Sequence, residues 1–205
     1  MKVLMINGSS REDGNTALAL EEMEKVFQEN GVECEKVLVG GKDIRGCIAC
    51  RKCEEAKKCV FDDEVNELAG KLKKADGIVV GSPVYFAGPN ATLMALMQRM
   101  LFSIRTDLRG KVGASVVVAR RGGCATAYDD LNRLFGVTGM PIATSQYWNM
   151  VYGRNIGDAA EDAEGMQTMR TLAGNMIFLM KSIALGKEKF GLPDQEEEIA
   201  TNFVR

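Results

Sequence analysis

Four cysteines lie within thirteen positions of the chain, and their spacing could build a metal centre. Two residues separate Cys47 from Cys50 and Cys50 from Cys53, and five separate Cys53 from Cys59. A spacing of three along a tight loop lets successive thiolates converge, which suits an iron–sulfur cluster or zinc. We predict that all four thiols ligate an iron–sulfur cluster; zinc ligation and unligated thiols are the alternatives.

The surroundings and spacing of these thiols favour a cluster. Five basic side chains lie near them and would offset the negative charge of thiolate ligands: Arg45, Arg51, Lys52, Lys57 and Lys58. Structural zinc sites usually pair their cysteines across a longer gap. In two-cluster ferredoxins the fourth cysteine follows after three residues and precedes proline, which is not the pattern here. Disulfides are not expected in a reducing cytosol.

A polar loop after the first apolar run is the second candidate site. Residues 3–6 (VLMI) predict a buried strand, and residues 8–16 (GSSREDGNT) join it to a predicted helix. A helix N-terminus attracts phosphate through its unpaired N–H groups and partial positive charge. The sequence matches neither the P-loop nor Gly-x-Gly-x-x-Gly. The candidate phosphate ligands are Ser9, Arg11, Asn15 and Thr16; an ordinary capped turn is the alternative.

A third segment, residues 82–90 (SPVYFAGPN), follows another predicted strand. Pro83 stiffens the turn, while Tyr85 and Phe86 supply flat apolar faces of the kind an isoalloxazine ring requires. Packing of both aromatic rings in the core is the alternative. The loop at residues 120–123 (RRGG) could close the other side of such a pocket.

The complete absence of histidine restricts the chemistry further. Hydrolases with a Ser-His pair, Cys-His proteases, His-ligated zinc enzymes and His general bases are all excluded. Any reaction must therefore depend on carboxylates, Lys, Tyr, Cys or a bound cofactor. A flavin fits this restriction because it carries out its own redox chemistry.

Alternating strands and helices must position these loops. The predicted strands cover residues 3–6, 32–39, 76–81, 112–119 and 142–144. The predicted helices cover residues 15–30, 90–105, 125–135 and 163–184, and a further one begins at 62–64. This alternation predicts an α/β fold with a mostly parallel sheet covered on both faces.

The two loop motifs resemble those of the NADPH-dependent FMN reductase family. They read Gly-Ser-Ser-Arg…Gly-Asn-Thr after the first strand and Gly-Ser-Pro-Val-Tyr-Phe after the third. The resemblance covers residues 1–185 and implies a flavodoxin-like three-layer α/β/α sandwich, with a five-stranded parallel sheet in the order 2-1-3-4-5. The family usually has Pro where this chain has Ser10, a mild departure that leaves the hydrogen-bond donors in place.

The same resemblance implies non-covalently bound FMN and a role for each matching residue. Ser9, Arg11, Asn15 and Thr16 would hold its phosphate. The flavin and ribityl chain would be lined by Pro83, Val84, Tyr85 and Phe86, with Arg120 and Gly122 near the ring.

The cysteine segment resembles the compact motif of iron–sulfur flavoproteins, which bind a [4Fe-4S] cluster beside FMN. The match extends to residues 61–64 (FDDE) and 164–168 (EGMQT). It implies that Cys47, Cys50, Cys53 and Cys59 hold the cluster. Neither Cys34 nor Cys124 is assigned a role.

These features predict an FMN-dependent electron-transfer oxidoreductase that relays electrons between FMN and a [4Fe-4S] cluster. One alternative is an NAD(P)H-dependent FMN or quinone reductase without a cluster. Another is a redox- or metal-sensing binding module that uses the fold as a scaffold. The predicted FMN-binding domain covers residues 1–185 with a cysteine-rich insertion at 45–60, and residues 186–205 form a C-terminal tail.

Composition restricts the partners and the compartment. The 205 residues carry a net charge of −2, and this near-neutral balance does not favour binding to nucleic acid. No apolar run approaches the roughly 20 residues of a membrane span, and Asn7 comes too early for a signal-peptide core. We expect a cytoplasmic homodimer or homotetramer that exchanges electrons with a small molecule or protein, NAD(P)H being a possible donor.

Overall fold

Five parallel strands form the central sheet of the computed structural model, which describes residues 1–197, 199, 201 and 203. They are β1 (Lys2–Asn7), β2 (Glu33–Leu38), β3 (Gly77–Pro83), β4 (Val112–Ala119) and β5 (Met150–Tyr152). Their order is β2-β1-β3-β4-β5, so β3 pairs directly with β1 and Met5 lies opposite Val79. The predicted fold class and strand order are confirmed.

Helices cover both faces of this sheet because its central strands are apolar on both sides. The helices are α1 (Asn15–Glu29), α2 (Cys53–Ala56), α3 (Glu64–Lys74), α4 (Ala91–Ser103), α5 (Cys124–Val137) and α6 (Ala163–Phe190). Val3 and Met5 of β1 pack in one core with α1 and α6, whereas Leu4 and Ile6 pack in a second core with α3, α4 and α5. Loops at the carboxyl ends of the strands therefore meet at one edge.

The fifth strand lies later in the chain than residues 142–144, where the sequence placed it. Residues 141–143 bond to the start of β4, through Gly113 N–H to the Pro141 oxygen and Ala143 N–H to the Gly113 oxygen. This contact is an isolated bridge, and the chain then leaves the sheet. The buried Asn149 donates to the Ser115 carbonyl at 3.0 Å and leads into β5, which pairs with the carboxyl half of β4.

The last helix is also longer than predicted, since α6 continues to Phe190 and ends before Gly191. The predicted tail boundary at residue 186 therefore falls inside the helix, and Glu198 of the acidic stretch at 195–198 lies outside the described residues. Among the described residues, every helix is too short or too polar to cross a bilayer.

Candidate functional site

Loops from three neighbouring strands touch at the carboxyl edge of the sheet. The Gly8 N–H after β1 donates to the Gly81 carbonyl of β3 at 2.8 Å. The backbone after β2 also approaches closely, because a Cβ added to Gly40 would overlap the backbone of Gly8 and Ser9. The two loops that the sequence proposed for phosphate and flavin are thus adjacent.

The loop between β1 and α1 is held by its own hydrogen bonds. The Ser9 N–H donates to Asn7 Oδ1 at 2.9 Å, and the Arg11 N–H donates to Ser9 Oγ at 3.0 Å. Ser9 is buried, whereas the Arg11 side chain is exposed. Gly14 precedes α1, and no side chain among the described residues caps this helix. Uncapped N–H groups in the first turn are the donors that a phosphate can use.

Asn15 and Thr16 occupy the first turn of α1, but their side chains differ in placement. Asn15 Nδ2 donates to the Asn155 carbonyl at 2.8 Å, and Asn15 Oδ1 accepts from the Ala159 N–H at 3.1 Å. The Asn15 amide therefore positions the loop after β5, which sequence reasoning did not connect with the site. Thr16 is buried, with its methyl group directed towards Gly81. Its place in the first turn keeps its backbone N–H at the helix terminus.

The turn after β3 exposes both aromatic side chains rather than packing them in the core. Tyr85 and Gly88 exchange two backbone hydrogen bonds, at 2.8 and 2.9 Å, around Phe86 and Ala87. Both central residues have positive φ, 48° and 62°, a conformation that usually requires Asn or Gly. Such a left-handed residue costs about 1–2 kcal/mol, and strained backbone of this kind is concentrated at ligand sites.

The loop after β4 closes against this aromatic turn. Gly123 has a φ of 87°, and a Cβ added there would lie 2.8 Å from Ala87 Cα. Only glycine fits at such a contact. Arg120 and Gly122, the predicted neighbours of the ring, are exposed at the same edge, while Pro83 and Val84 are half-buried below it. The three predicted loops therefore lie next to one another at the carboxyl edge of the sheet.

The four clustered cysteines line a single small cavity of about 30 Å³. Cys47 and Cys50 are exposed, while Cys53 and Cys59 are half-buried. Burial raises the pKa of the Cys53 thiol, and the nearby thiols of Cys50, Cys59 and Cys47 raise it further. In the described part of the chain, no three His, Cys, Asp or Glu side chains are grouped closely enough to hold a single metal ion.

The backbone around these thiols has an unusual conformation. Ala49, Arg51 and Lys57 all have positive φ, between 52° and 59°, although none is glycine. Left-handed residues change the chain direction within this short segment, and the four cysteine side chains line the same cavity. The segment therefore directs its four thiols into one cavity without regular secondary structure beyond the single turn of α2.

Cys59 is anchored by two side chains that sequence reasoning missed. Asn66 of α3 accepts from the Cys59 N–H at 2.8 Å and donates to the Cys59 carbonyl at 3.1 Å. Arg99 of α4 donates through Nε and Nη2 to the Cys59 Sγ, both at 3.3 Å. Burial acts to lower the pKa of Arg99, but hydrogen bonds with Asp63 and Cys59 outweigh it and raise that pKa.

Helix α4 connects the loop proposed for the flavin, residues 82–90 (the flavin loop), with the cysteine segment. Asn90 caps it by accepting from the Thr92 and Leu93 N–H groups, and its own N–H donates to Ser82 Oγ at 2.9 Å. Nine residues later, or about 13 Å along the helix, Arg99 contacts Cys59. A single rigid element thus fixes both regions.

Cys34 lies on β2, outside the four-thiol cavity, and provides a test by pH. Burial, followed by the nearby Glu24 carboxylate, raises the pKa of its thiol from 9.0 to about 11. Folding favours the neutral thiol, so this contribution to stability is complete below pH 9 and is lost as the pH rises towards 11. We expect iodoacetamide to alkylate Cys34 at pH 9 roughly fiftyfold more slowly in the folded protein than in urea, measured by peptide mass spectrometry. Equal rates would contradict the burial.

Sequence comparisons identify relatives over most of the chain. Residues 1–154 match the NADPH-dependent FMN reductase family. An iron–sulfur flavoprotein of Methanocaldococcus jannaschii is 37% identical over 89% of this chain and 99% of its own. An iron–sulfur flavoprotein of Methanosarcina thermophila is 30% identical over 92% of this chain and its entire length.

Solved structures agree on the fold. A flavodoxin from the domain Archaea has a TM-score of 0.62 at 16% identity, covering 88% of this chain and 99% of its own. An NADH:FMN oxidoreductase in its apo form has a TM-score of 0.60 at 16% identity, covering 88% of this chain and 89% of its own. With the sequence matches, these findings place the chain in the NADPH-dependent FMN reductase family, among its iron–sulfur flavoproteins.

Proposed function

We propose that this protein is an FMN-dependent electron-transfer oxidoreductase that passes electrons between FMN and a [4Fe-4S] cluster. The observation that carries this proposal is the shared cavity of Cys47, Cys50, Cys53 and Cys59, which α4 connects with the flavin loop. FMN, when bound, exchanges two electrons with a hydride donor and single electrons with a cluster. The protein contributes binding, orientation and electrostatics.

The space between these loops, the proposed flavin cleft at the carboxyl edge of the sheet, would accept a flat molecule with one phosphate. Ser9, Arg11, Thr16 and the uncapped N–H groups of α1 would bind the phosphate, with Asn15 holding the loop after β5 in place. Pro83, Val84, Tyr85 and Phe86 would line the flavin and ribityl chain. The strained turn presents its aromatic rings outside the core, where a bound ring can reach them.

Arg120 and Gly122 would lie near the flavin ring on the opposite side of the cleft. The fixed contact between Gly123 and Ala87 sets the distance between the two loops. Because the protein supplies no histidine, the proton balance of a hydride transfer would be met by solvent at this exposed edge. NAD(P)H is the donor that this family suggests.

The four thiols would hold a cluster near the surface. Cys53 and Cys59 are half-buried and Cys47 and Cys50 are exposed, so one side of a bound cluster would face the solvent. An electron carrier could approach that side while the flavin receives reductant at the sheet edge. Arg51 and Lys52 are exposed there and favour an acidic carrier.

Anaerobic purification tests this proposal. We expect one FMN, four irons and four sulfides per chain, with flavin bands superimposed on broad iron–sulfur absorption. FMN without iron or sulfide would reject the relay. One zinc per chain with no flavin would instead support the sensing module.

A second candidate is an NAD(P)H-dependent FMN or quinone reductase in which the cysteines carry no metal. The exposed side chains of Tyr85 and Phe86 favour it, because a second flat substrate could stack on them. It predicts that NADPH turnover with quinone is unchanged in Cys47→Ser and Cys53→Ser proteins. A fall in turnover that follows the iron content would exclude it.

We also infer that residues 1–185 belong to one functional domain with the insertion at 45–60, which α6 continues to Phe190, and that the chain assembles as a homodimer or homotetramer. Exposed Tyr147, Trp148 and Phe178 support the assembly, since large aromatic side chains are enriched at interfaces. Light scattering at micromolar concentration tests it, and a monomeric mass would reject it.

A further inference from the structure

The guanidinium of Arg99 is the buried charged group on α4, and all five of its N–H donors are used. Nη1 donates to Asp63 Oδ2 at 2.8 Å and to the Arg45 carbonyl at 3.2 Å. Nη2 donates to Asp63 Oδ1 at 2.9 Å and to Cys59 Sγ at 3.3 Å, and Nε donates to the same sulfur. The arginine side chain is only 1% exposed.

This arrangement requires arginine rather than any cation. A lysine ammonium has three donors and no fixed fork, so it cannot bind the Asp63 carboxylate bidentately and also reach the sulfur twice. The guanidinium also lies 5.0 Å from the centroid of the Phe61 ring, and Arg45 lies 4.4 Å from the same ring. Packing and hydrogen bonds together hold the Arg99 side chain in one conformation.

The position has two consequences for Cys59. Its sulfur receives two charge-assisted hydrogen bonds from a group shielded from water, where such bonds are stronger than at the surface. Its location is also fixed relative to α4, whose N-cap Asn90 is the last residue of the flavin loop. Cys47 and Cys50 lie on the exposed part of the segment, so the four thiols are not equivalent.

We propose that Arg99 is the positioning residue of the iron–sulfur site: it holds the Cys59 sulfur by two N–H···S hydrogen bonds and raises the reduction potential of the cluster that this sulfur ligates. The proposal rests on the proposed function. Reduction adds negative charge to the cluster, and hydrogen bonds to ligand sulfurs stabilise that added charge. Arg99 therefore makes the cluster a better electron acceptor from the flavin.

The test is a redox titration of the anaerobically purified protein, with the cluster and FMN potentials measured in the same sample. Arg99→Lys keeps the positive charge but loses the pair of N–H···S hydrogen bonds to the Cys59 sulfur. We expect the ratio of oxidised to reduced cluster at a fixed potential to rise at least tenfold, which is about 59 mV for one electron. The FMN potential, measured as an internal reference, should not change.

Arg45→Met is the matched control, because it removes an exposed positive charge from the same ring without removing a donor to sulfur. Its cluster ratio should change less than threefold. If Arg99→Lys does not fold, Arg99→Gln combined with Asp63→Asn removes both charges and leaves no unpaired carboxylate. The same rise of at least tenfold is expected in that double variant.

Three results would overturn the proposal, and they are distinguishable. A wild-type protein that takes up no cluster would reject the proposed function and this inference with it. A loaded Arg99→Lys protein with an unchanged cluster potential would reject the role of Arg99 alone. Equal shifts in Arg99→Lys and Arg45→Met would show that hydrogen bonding to Cys59 is not the cause.

Discussion

Replacing Cys53 by serine is expected to give a protein that binds FMN normally but contains no iron–sulfur cluster. Cys53 faces the shared cavity and its thiol is within electrostatic range of Cys47, Cys50 and Cys59. A serine hydroxyl does not ionise near neutral pH, so one of the four anionic ligands would be lost. We expect iron and sulfide to fall to less than about a tenth of the wild-type content, consistent with the need for Cys₄ ligation, in a colorimetric assay.

Cys34→Ser is the matched control, because Cys34 is half-buried on β2 and takes no part in the cavity. It should retain the wild-type content of iron, sulfide and FMN. Loss of FMN together with the cluster in Cys53→Ser would mean that the segment supports the fold itself. Full iron content in Cys53→Ser would show that this thiol is not a ligand.

Replacing Gly40 by alanine is expected to weaken FMN binding on the order of 10- to 100-fold. An added Cβ at this position overlaps the backbone of Gly8 and Ser9, so the 8–16 loop proposed for the phosphate must move. Overpacking of this kind costs about 1–3 kcal/mol, which corresponds to roughly one to two decades of affinity if it falls on the bound state. Fluorescence titration of the FMN-depleted protein measures the change.

Gly41→Ala provides the control for this substitution. A Cβ added to Gly41 meets nothing within 4 Å, although the residue adjoins Gly40 in the same loop. Its FMN affinity should stay within about twofold of wild type, as for surface substitutions that cost less than 0.5 kcal/mol. Equal FMN affinities for the Gly40→Ala and wild-type proteins would show that the 8–16 loop does not bind the phosphate.

The sequence predicts the sheet and its loops well because their signals are local. Residues 3–6 and 116–119 are short continuous apolar runs, which are typical of strands buried on both faces, and each is followed by polar turn residues. The loops at 8–16 and 82–90 therefore had to meet once the strand order was known. Their hydrogen bond between Gly8 and Gly81 is the physical outcome of that order.

The remaining features depend on contacts between distant residues. Residues 141–143 do bond to the start of β4, but the buried Asn149 positions a later segment for the longer pairing. Asn15 resembles a phosphate ligand in the sequence, whereas in the structure its amide joins a loop 140 positions away. The one signal for Arg99 was its place as the single charged residue within 91–103, and its partners Cys59 and Asp63 could not be read from that pattern.

A crystal structure of the FMN-loaded protein tests the central claim most directly. The account predicts that the phosphate lies within hydrogen-bond distance of Ser9 and the first N–H groups of α1, with the flavin ring between the 83–86 turn and the 120–123 loop. A flavin bound elsewhere, or a ring kept out of this cleft by the protein's own side chains, would contradict it.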